Sequence, residues 1–489
     1  MSMLLLSHGA VDVTPPPGHP MGGYAARDGN ATGHHDDLRL TLVWLAAPDD
    51  DGVVWLAVDA LAMPAPVATA LASTVGAGLG IDADRILVCA SHTHCAPAGW
   101  HGELHPPDGT TVDADLVAEL RAAAGRLAAA VAAQDRLAVT AAWCAPEVAG
   151  VSANRLADDG PADRSAGTLV LRDRATGAVA AVLLDFADHA TSLGPDCRAW
   201  SADWPAAARD VLGAALAAAA GFAGVGGRPP TIAVLQGAAG DVSPRAVRRG
   251  RGFAETARLG SVLAGSVLAA LHRDATPVPG AAVPPGVAGE VPPGVAGVVP
   301  PGVAGEVPGG AVPPGAAGAV PAGVGPVVRR AVVRLPTRPL PDVDTAEAVL
   351  AGAEREWRAV TVSAGLPADG PVARRALARR DGAAIQVRLA GAVLPAALDL
   401  PIAVVRLGDI AWAHLPVEPF ASVGQRIAAR SPFPVTRVVG YTDSYLGYLP
   451  DEAAYAAETY EAYISLFGPG ADHLLVDGVV DLLREAHRS

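Results

Sequence analysis

Seven short apolar runs, separated by alanine-rich stretches of helical spacing, limit what this chain can fold into. The runs LTLVWLA, GVVWLAVDA, RILVCASHTH, GTLVLRD, VAAVLLDFADH, TIAVLQG and IAVVRLGDIAWAHLP are rich in Val, Ile and Leu and are bounded by Gly, Pro or Asp. Runs of that length and composition read as buried strands. Between them, residues 114–133, 205–220, 254–271, 346–360 and 373–381 carry Ala, Leu, Arg and Glu at helix-like spacing. The alternation predicts an α/β fold with a mixed β-sheet core flanked by helices.

Composition narrows the function. Hydrophobic residues make up 51% and charged residues 18% of the 489 positions, enough apolar surface for a large packed core. A net charge of -14 argues against nucleic acid or an anionic membrane as partner, because both need clustered Lys and Arg. Four cysteines (Cys89, Cys95, Cys144, Cys197) form no CxxC pair and read as unpaired thiols. The opening MSMLLLSHGA has no charged leading region and turns polar early, so the expected location is cytoplasmic. No uninterrupted apolar stretch of about 20 residues predicts a membrane span.

From Thr276 to Pro326 the composition changes. VPPGVAG occurs at Val283, Val291 and Val299, with a degenerate VPPGAAG at Val312. Proline removes backbone donors and glycine adds backbone entropy, so 276–326 is expected to be a flexible low-complexity insertion. Residues 1–275 and 327–489 are expected to close together into one catalytic domain, since candidate site residues fall on both sides.

Those candidates follow the apolar runs. His92 and His94 end the run RILVCA; on a continuing strand the period of two would put both imidazoles on one face, a start for a zinc site. His189 sits in DFADHATS, again after a strand, where sites of open α/β sheets collect. The glycine-rich QGAAGDVSPR offers Ser243 and backbone N–H groups to a ligand, or else a helix cap. Glu418 follows the run DIAWAH, and five of the seven tyrosines lie between Tyr441 and Tyr460, as a site or as a packed cluster.

Taken in order, DVTPPPGHPMGGYA, ASHTHCAP, NR, DFADHATS, SADWP, QGAAGDVSPR, LPVEPF and YLGYLPDEAAYAAETYE resemble the neutral ceramidase family over nearly its whole catalytic domain. The resemblance implies that domain's fold and a zinc-dependent hydrolase that cleaves an N-acyl amide bond. It assigns Zn2+ to His92, His189, Glu418 and Tyr448, and so moves His94 from ligand to a group facing substrate. By the same carry-over Ser243 lies at the reaction centre, Arg155 holds polar substrate groups, and Tyr460, with His94, steadies the carbonyl oxygen. The ion would lower the pKa of bound water to about 7 and polarise the carbonyl.

Cys95 and Ala96 stand where the family has Ser and Gly, and Val417-Glu418-Pro419-Phe420 where it has Gly-Glu-Phe-Thr. Larger side chains reshape a pocket, so the substrate is expected to be ceramide or a smaller N-acyl compound. The fold is expected to be that of the catalytic domain without the family's C-terminal β-sandwich, since only a final helical stretch follows SLFGPGADHLL. Metal-dependent acyl transfer or rearrangement on a specialised metabolite, and an inactive binding protein using the proline-rich tether, are the competing readings.

Overall fold

The structure is a computed structural model describing residues 3–104, 110–219, 229–273, 276–277, 325–363 and 370–489. Apart from its ends, the insertion expected at 276–326 lies outside the described residues.

The largest sheet runs in the order Thr231–Gln236, Val179–Phe186, Gly167–Asp173, Leu137–Cys144, Leu4–Asp12, Arg39–Ala46, Val53–Val58 and Ile86–Ala90, with Thr276–Pro277 added to Leu137–Cys144. Its middle is antiparallel and both flanks are parallel: Thr231–Gln236 pairs with Val179–Phe186, and Val53–Val58 with Ile86–Ala90. Val53–Val58, Ile86–Ala90 and Val179–Phe186 are buried throughout, the pattern expected of strands covered on both faces. The sheet curls until Thr231–Gln236 packs against Arg39–Ala46, Val53–Val58 and Ile86–Ala90. His8 Nδ1 and Thr231 Oγ1 meet at 2.7 Å across that curl.

Two helix pairs cover the outer surface. Ala65–Leu79 and Ala114–Ala132 seal one region of the sheet with Leu71, Val75, Leu120 and Leu127. Trp204–Ala219 and Phe253–Arg273 seal the other with Leu212, Leu259, Leu263 and Val267. Asp113 starts the second helix by accepting from the N–H groups of Asp115 and Leu116, both at 3.1 Å, a cap worth about 1 kcal/mol.

A second sheet, Val327–Pro336, Ala397–Leu407, Ile410–His414 and Val435–Val439, packs onto the first. Trp55 and Leu87 from the first sheet share one core with Val405 and Trp412 from the second. Trp55 and Trp412 meet edge to face at 6.0 Å, an arrangement worth about 1 kcal/mol beyond buried area. The buried Arg437 binds Asp185 Oδ1 through Nε at 2.6 Å and Asp163 through Nη1 at 3.0 Å. Gly167 is required beneath that pair, because a Cβ there would fall 2.3 Å from the Asp185 carboxylate. Ala471–Arg488 and Ala421–Arg430 cover the far side of the second sheet.

The expected strands and helices are present, but the helix expected at 373–381 spans Pro371–Leu389, and IAVVRLGDIAWAHLP folds as two antiparallel strands, Ala397–Leu407 and Ile410–His414, turning at Gly408-Asp409. One expectation is corrected: the strand before His92 stops at Ala90, and His92 takes the left-handed φ of 60°. The two histidines therefore do not share a face through strand periodicity. Among the described residues no helix is long and apolar enough to cross a membrane.

Candidate metal centre

The curl of the sheet carries the ends of Ile86–Ala90 and Val179–Phe186 to the same place. A lone parallel bridge joins Thr93 to Ala190, which sets the preceding residues, His92 and His189, side by side with ring centroids 4.7 Å apart. Gln236, at the end of the neighbouring strand, clasps both ends. Its Nε2 donates to Asp188 O at 2.8 Å and to Ser91 O at 3.3 Å, and its Oε1 accepts from Asp188 N at 3.1 Å.

Each of three histidines is held by its Nδ1. A carbonyl can only accept, so His92 donates to Leu61 O at 2.8 Å, His94 to Gly23 O at 2.8 Å and His189 to Ala239 O at 2.6 Å. This fixes the tautomer and leaves each Nε2 with a lone pair. Among the described residues, the Nε2 atoms of His92 and His94 are buried without a hydrogen-bond partner. One ring nitrogen from each of the three lies within 4.8 Å of the others, so His92, His94 and His189 form a group that could hold a metal ion. Burial, then the neighbouring imidazoles, pulls His94 well below the ordinary histidine range. Burial, then Arg155, brings His189 to about 4. Neutral imidazole is the form that binds a metal.

The back part of the chain supplies the remaining donors. Glu418–Pro419 pairs in parallel with Tyr448–Leu449, putting Glu418 directly beside Tyr448. Glu418 Oε2 lies 3.1 Å from His189 Nε2 and 3.4 Å from His92 Nε2. Tyr448 Oη is 3.3 Å from His189 Nε2. Burial pushes Glu418 up, but the facing imidazoles outweigh it and hold the carboxyl well below its usual range. Imidazole nitrogens beside a carboxylate and a phenol oxygen are a donor set that suits a divalent transition-metal cation.

The other expected residues adjoin this cluster. Arg155 donates to Glu461 Oε1 at 2.9 Å, to Gly240 O at 2.7 Å and to Tyr448 Oη at 3.2 Å. Tyr460 opens the helix Tyr460–Ile464 and meets the Tyr448 ring edge-on at 6.2 Å. Ser243 is buried opposite Ala153 in a two-residue ladder, and its Oγ caps the turn Pro244–Ala246 by accepting from Arg245 N at 3.4 Å.

Several contributors were not assigned from sequence. Tyr441 donates to Glu418 Oε2 at 3.2 Å and Tyr445 to Glu418 Oε1. The Tyr441 ring stacks on His92 at 4.1 Å, and its φ of 55° is left-handed like that of His92, a strain of about 1–3 kcal/mol per residue that tends to mark functional sites. Tyr24 packs against His94 at 4.8 Å. The signal available in the sequence was the crowding of tyrosines around Gly440 and Gly447, and the Gly-Gly-Tyr string before residue 25.

An α/β chain in which histidines from two strand ends meet a glutamate and a tyrosine from a short parallel ladder in the back part of the chain is thus the class defined here. The fold is neutral ceramidase-like. The structure matches that of neutral ceramidase from Pseudomonas aeruginosa with a TM-score of 0.69 and 16% identity, covering 100% of this chain and 75% of that one. It matches a ceramidase complexed with C2 with a TM-score of 0.68 and 15% identity, covering 100% and 76%. No protein-family model matches the sequence, and no curated protein does either.

Proposed function

We propose that this chain is a zinc-dependent hydrolase that cleaves an N-acyl amide, with His92, His189, Glu418 and Tyr448 holding the ion. The observation that carries this reading is the convergence of Nδ1-anchored imidazoles on Glu418 and Tyr448 at the end of a ceramidase-like sheet. When bound, such an ion supplies a nucleophilic water near neutral pH and a Lewis acid for the carbonyl.

The chain's own groups do the rest. With Nδ1 donating to Gly23, His94 presents a lone pair at Nε2, so in this tautomer it faces the substrate as an acceptor and does not donate to the carbonyl oxygen as the resemblance implies. Burial, then the Glu461 charge, raises the Tyr460 hydroxyl above its ordinary range, so it stays a donor for the carbonyl oxygen as negative charge develops there. Arg155, anchored by Glu461, holds a second polar group of the substrate. Ser243 pairs with Ala153 and Val242 with Asn154, and Arg155, next in the chain, donates its backbone N–H to Asp241 O at 2.8 Å, so one loop supports both residues.

We further infer that residues 1–275 and 327–489 act as one catalytic unit, because Glu418 meets His92 and Arg437 meets Asp185. Cys89, Cys95 and Cys197 are free thiols, which suits a reducing compartment. Elemental analysis of wild type, His92→Ala and Glu418→Ala tests the centre: about one zinc per folded chain, lost in both variants, is expected. A folded wild type that takes up no zinc and releases no fatty acid from N-acyl amides would overturn the reading.

A further inference from the structure

The loop that carries Ser243 also gathers positive charge. Arg245 lies in the turn Pro244–Ala246 and Arg248 just beyond it. Arg374, from the helix Pro371–Leu389, donates Nη1 to the Arg245 carbonyl at 3.2 Å. Arg155 directly follows the opposite strand of the ladder, Ala153–Asn154, and donates its backbone N–H to Asp241 O at 2.8 Å. In a chain of net charge -14 this is a local inversion of sign.

The charges are unequally matched. Arg155 is paired with Glu461 at 2.7 Å, and Arg248 Nη1 reaches the Thr191 carbonyl at 3.4 Å. The part-buried Arg245 guanidinium has, among the described residues, neither a carboxylate within ion-pair reach nor a hydrogen-bonded acceptor. Arg245 follows Ser243 by two positions, and Arg248 reaches Thr191, two positions past His189, so the pair lies beside the histidine cluster. Burial, then Arg155, pulls Arg245 down to about 10, and Arg248 adds to the same effect. The planar fork of a guanidinium matches an oxyanion.

We infer that Arg245 and Arg248, backed by Arg374, form an anion subsite of the same site, and that the amide substrate carries a carboxylate or phosphate. This rests on the amide-hydrolase reading for the word substrate, but binding of the anion can be tested apart from cleavage.

The probes are N-lauroylglycine, N-lauroylethanolamine phosphate and the neutral N-lauroylethanolamine, titrated into the zinc-loaded full chain by calorimetry. At least one anionic probe is expected to bind about tenfold or more tighter than the neutral one, the value of a charge-assisted hydrogen bond. Which of the two gains more separates carboxylate from phosphate. Arg245→Gln with Arg248→Gln is expected to bring the ratio to near one, and Arg245→Lys to keep part of it, with thermal unfolding checking that each variant is folded. Equal binding of all three probes by wild type, or a ratio that survives the double replacement, overturns the proposal. Preferential binding without release of lauric acid from any probe leaves the anion subsite standing and sinks the hydrolase reading instead.

Discussion

Gly240 gives a way to move the Glu418 strap without touching any candidate ligand. A Cβ built there would fall 2.7 Å from the Glu418 carbonyl, 3.0 Å from that of Pro419 and 2.9 Å from Phe420 Cδ1. Ordinary Cβ contacts begin near 3.4 Å, so in Gly240→Ala the loop and the strap must separate by roughly 0.7 Å, the shortfall at Glu418. Metal–ligand distances tolerate only about 0.2 Å. The expected result is a loss of about 1–3 kcal/mol of stability from overpacking and a fall in zinc affinity of at least about tenfold, the scale seen when support of a ligand is disturbed. Gly240 is not in the left-handed region, so crowding is the variable changed. Urea unfolding with linear extrapolation and competition against a chromophoric chelator measure the two effects. Gly265→Ala is the control: no atom lies within 4 Å of its Cβ position in the helix Phe253–Arg273, and alanine there is expected to stabilise by about 0.5–1 kcal/mol. Wild-type zinc affinity in Gly240→Ala would refute the claim that this loop sets the position of Glu418.

Further outcomes follow from other buried groups. Arg437→Met should cost about 3–5 kcal/mol by leaving Asp185 uncompensated, and adding Asp185→Leu should restore much of that; urea unfolding followed by tryptophan fluorescence reads both, and a loss under about 1 kcal/mol from the single change would show that the pair does not join the two sheets. Burial brings His414 to about 3, below its unfolded value of about 6.5. The unfolded chain therefore binds more protons between those values, and the His414 contribution, complete above pH 6.5, falls by about 2 kcal/mol from pH 7 to pH 5; parallel stability curves for wild type and His414→Gln over that range would contradict it. A hydrogen bond with Cys95, against the opposing effect of burial, lowers Cys197 to about 7. Iodoacetamide labelling of Cys197, followed by mass spectrometry, should rise with a midpoint near pH 7, and a rise only above pH 8.5 would speak against that thiol pair.

The strands were legible because Val, Ile and Leu runs bounded by turn residues survive any tertiary context that buries both faces. The N-terminal run LLLSHGAVD was harder to read, since His8 and Gly9 break its apolar pattern. It is nonetheless a strand between Arg39–Ala46 and Leu137–Cys144, where His8 finds Thr231 as partner. The histidines were visible as residues but their convergence was not, because it depends on the curl of the sheet and on the turn at His92. Tyr441 and Tyr445 act on Glu418, and Gln236 on Ser91 and Asp188, and nothing local in the sequence says that these residues will be neighbours.

The anchoring of the three imidazoles has a consequence for the order of events during synthesis. Leu61, Gly23 and Ala239 provide the carbonyls, while the carboxylate and phenol arrive from residues 418 and 448. The pocket is thus complete only after residue 448 has left the ribosome and the pairing of residues 418 and 448 has formed. If the proposed zinc reading holds, then unlike a zinc finger, whose ion organises a short loop, the site would be built by the fold first and filled last. Zinc shortage would then leave a folded apoprotein and not an unfolded chain.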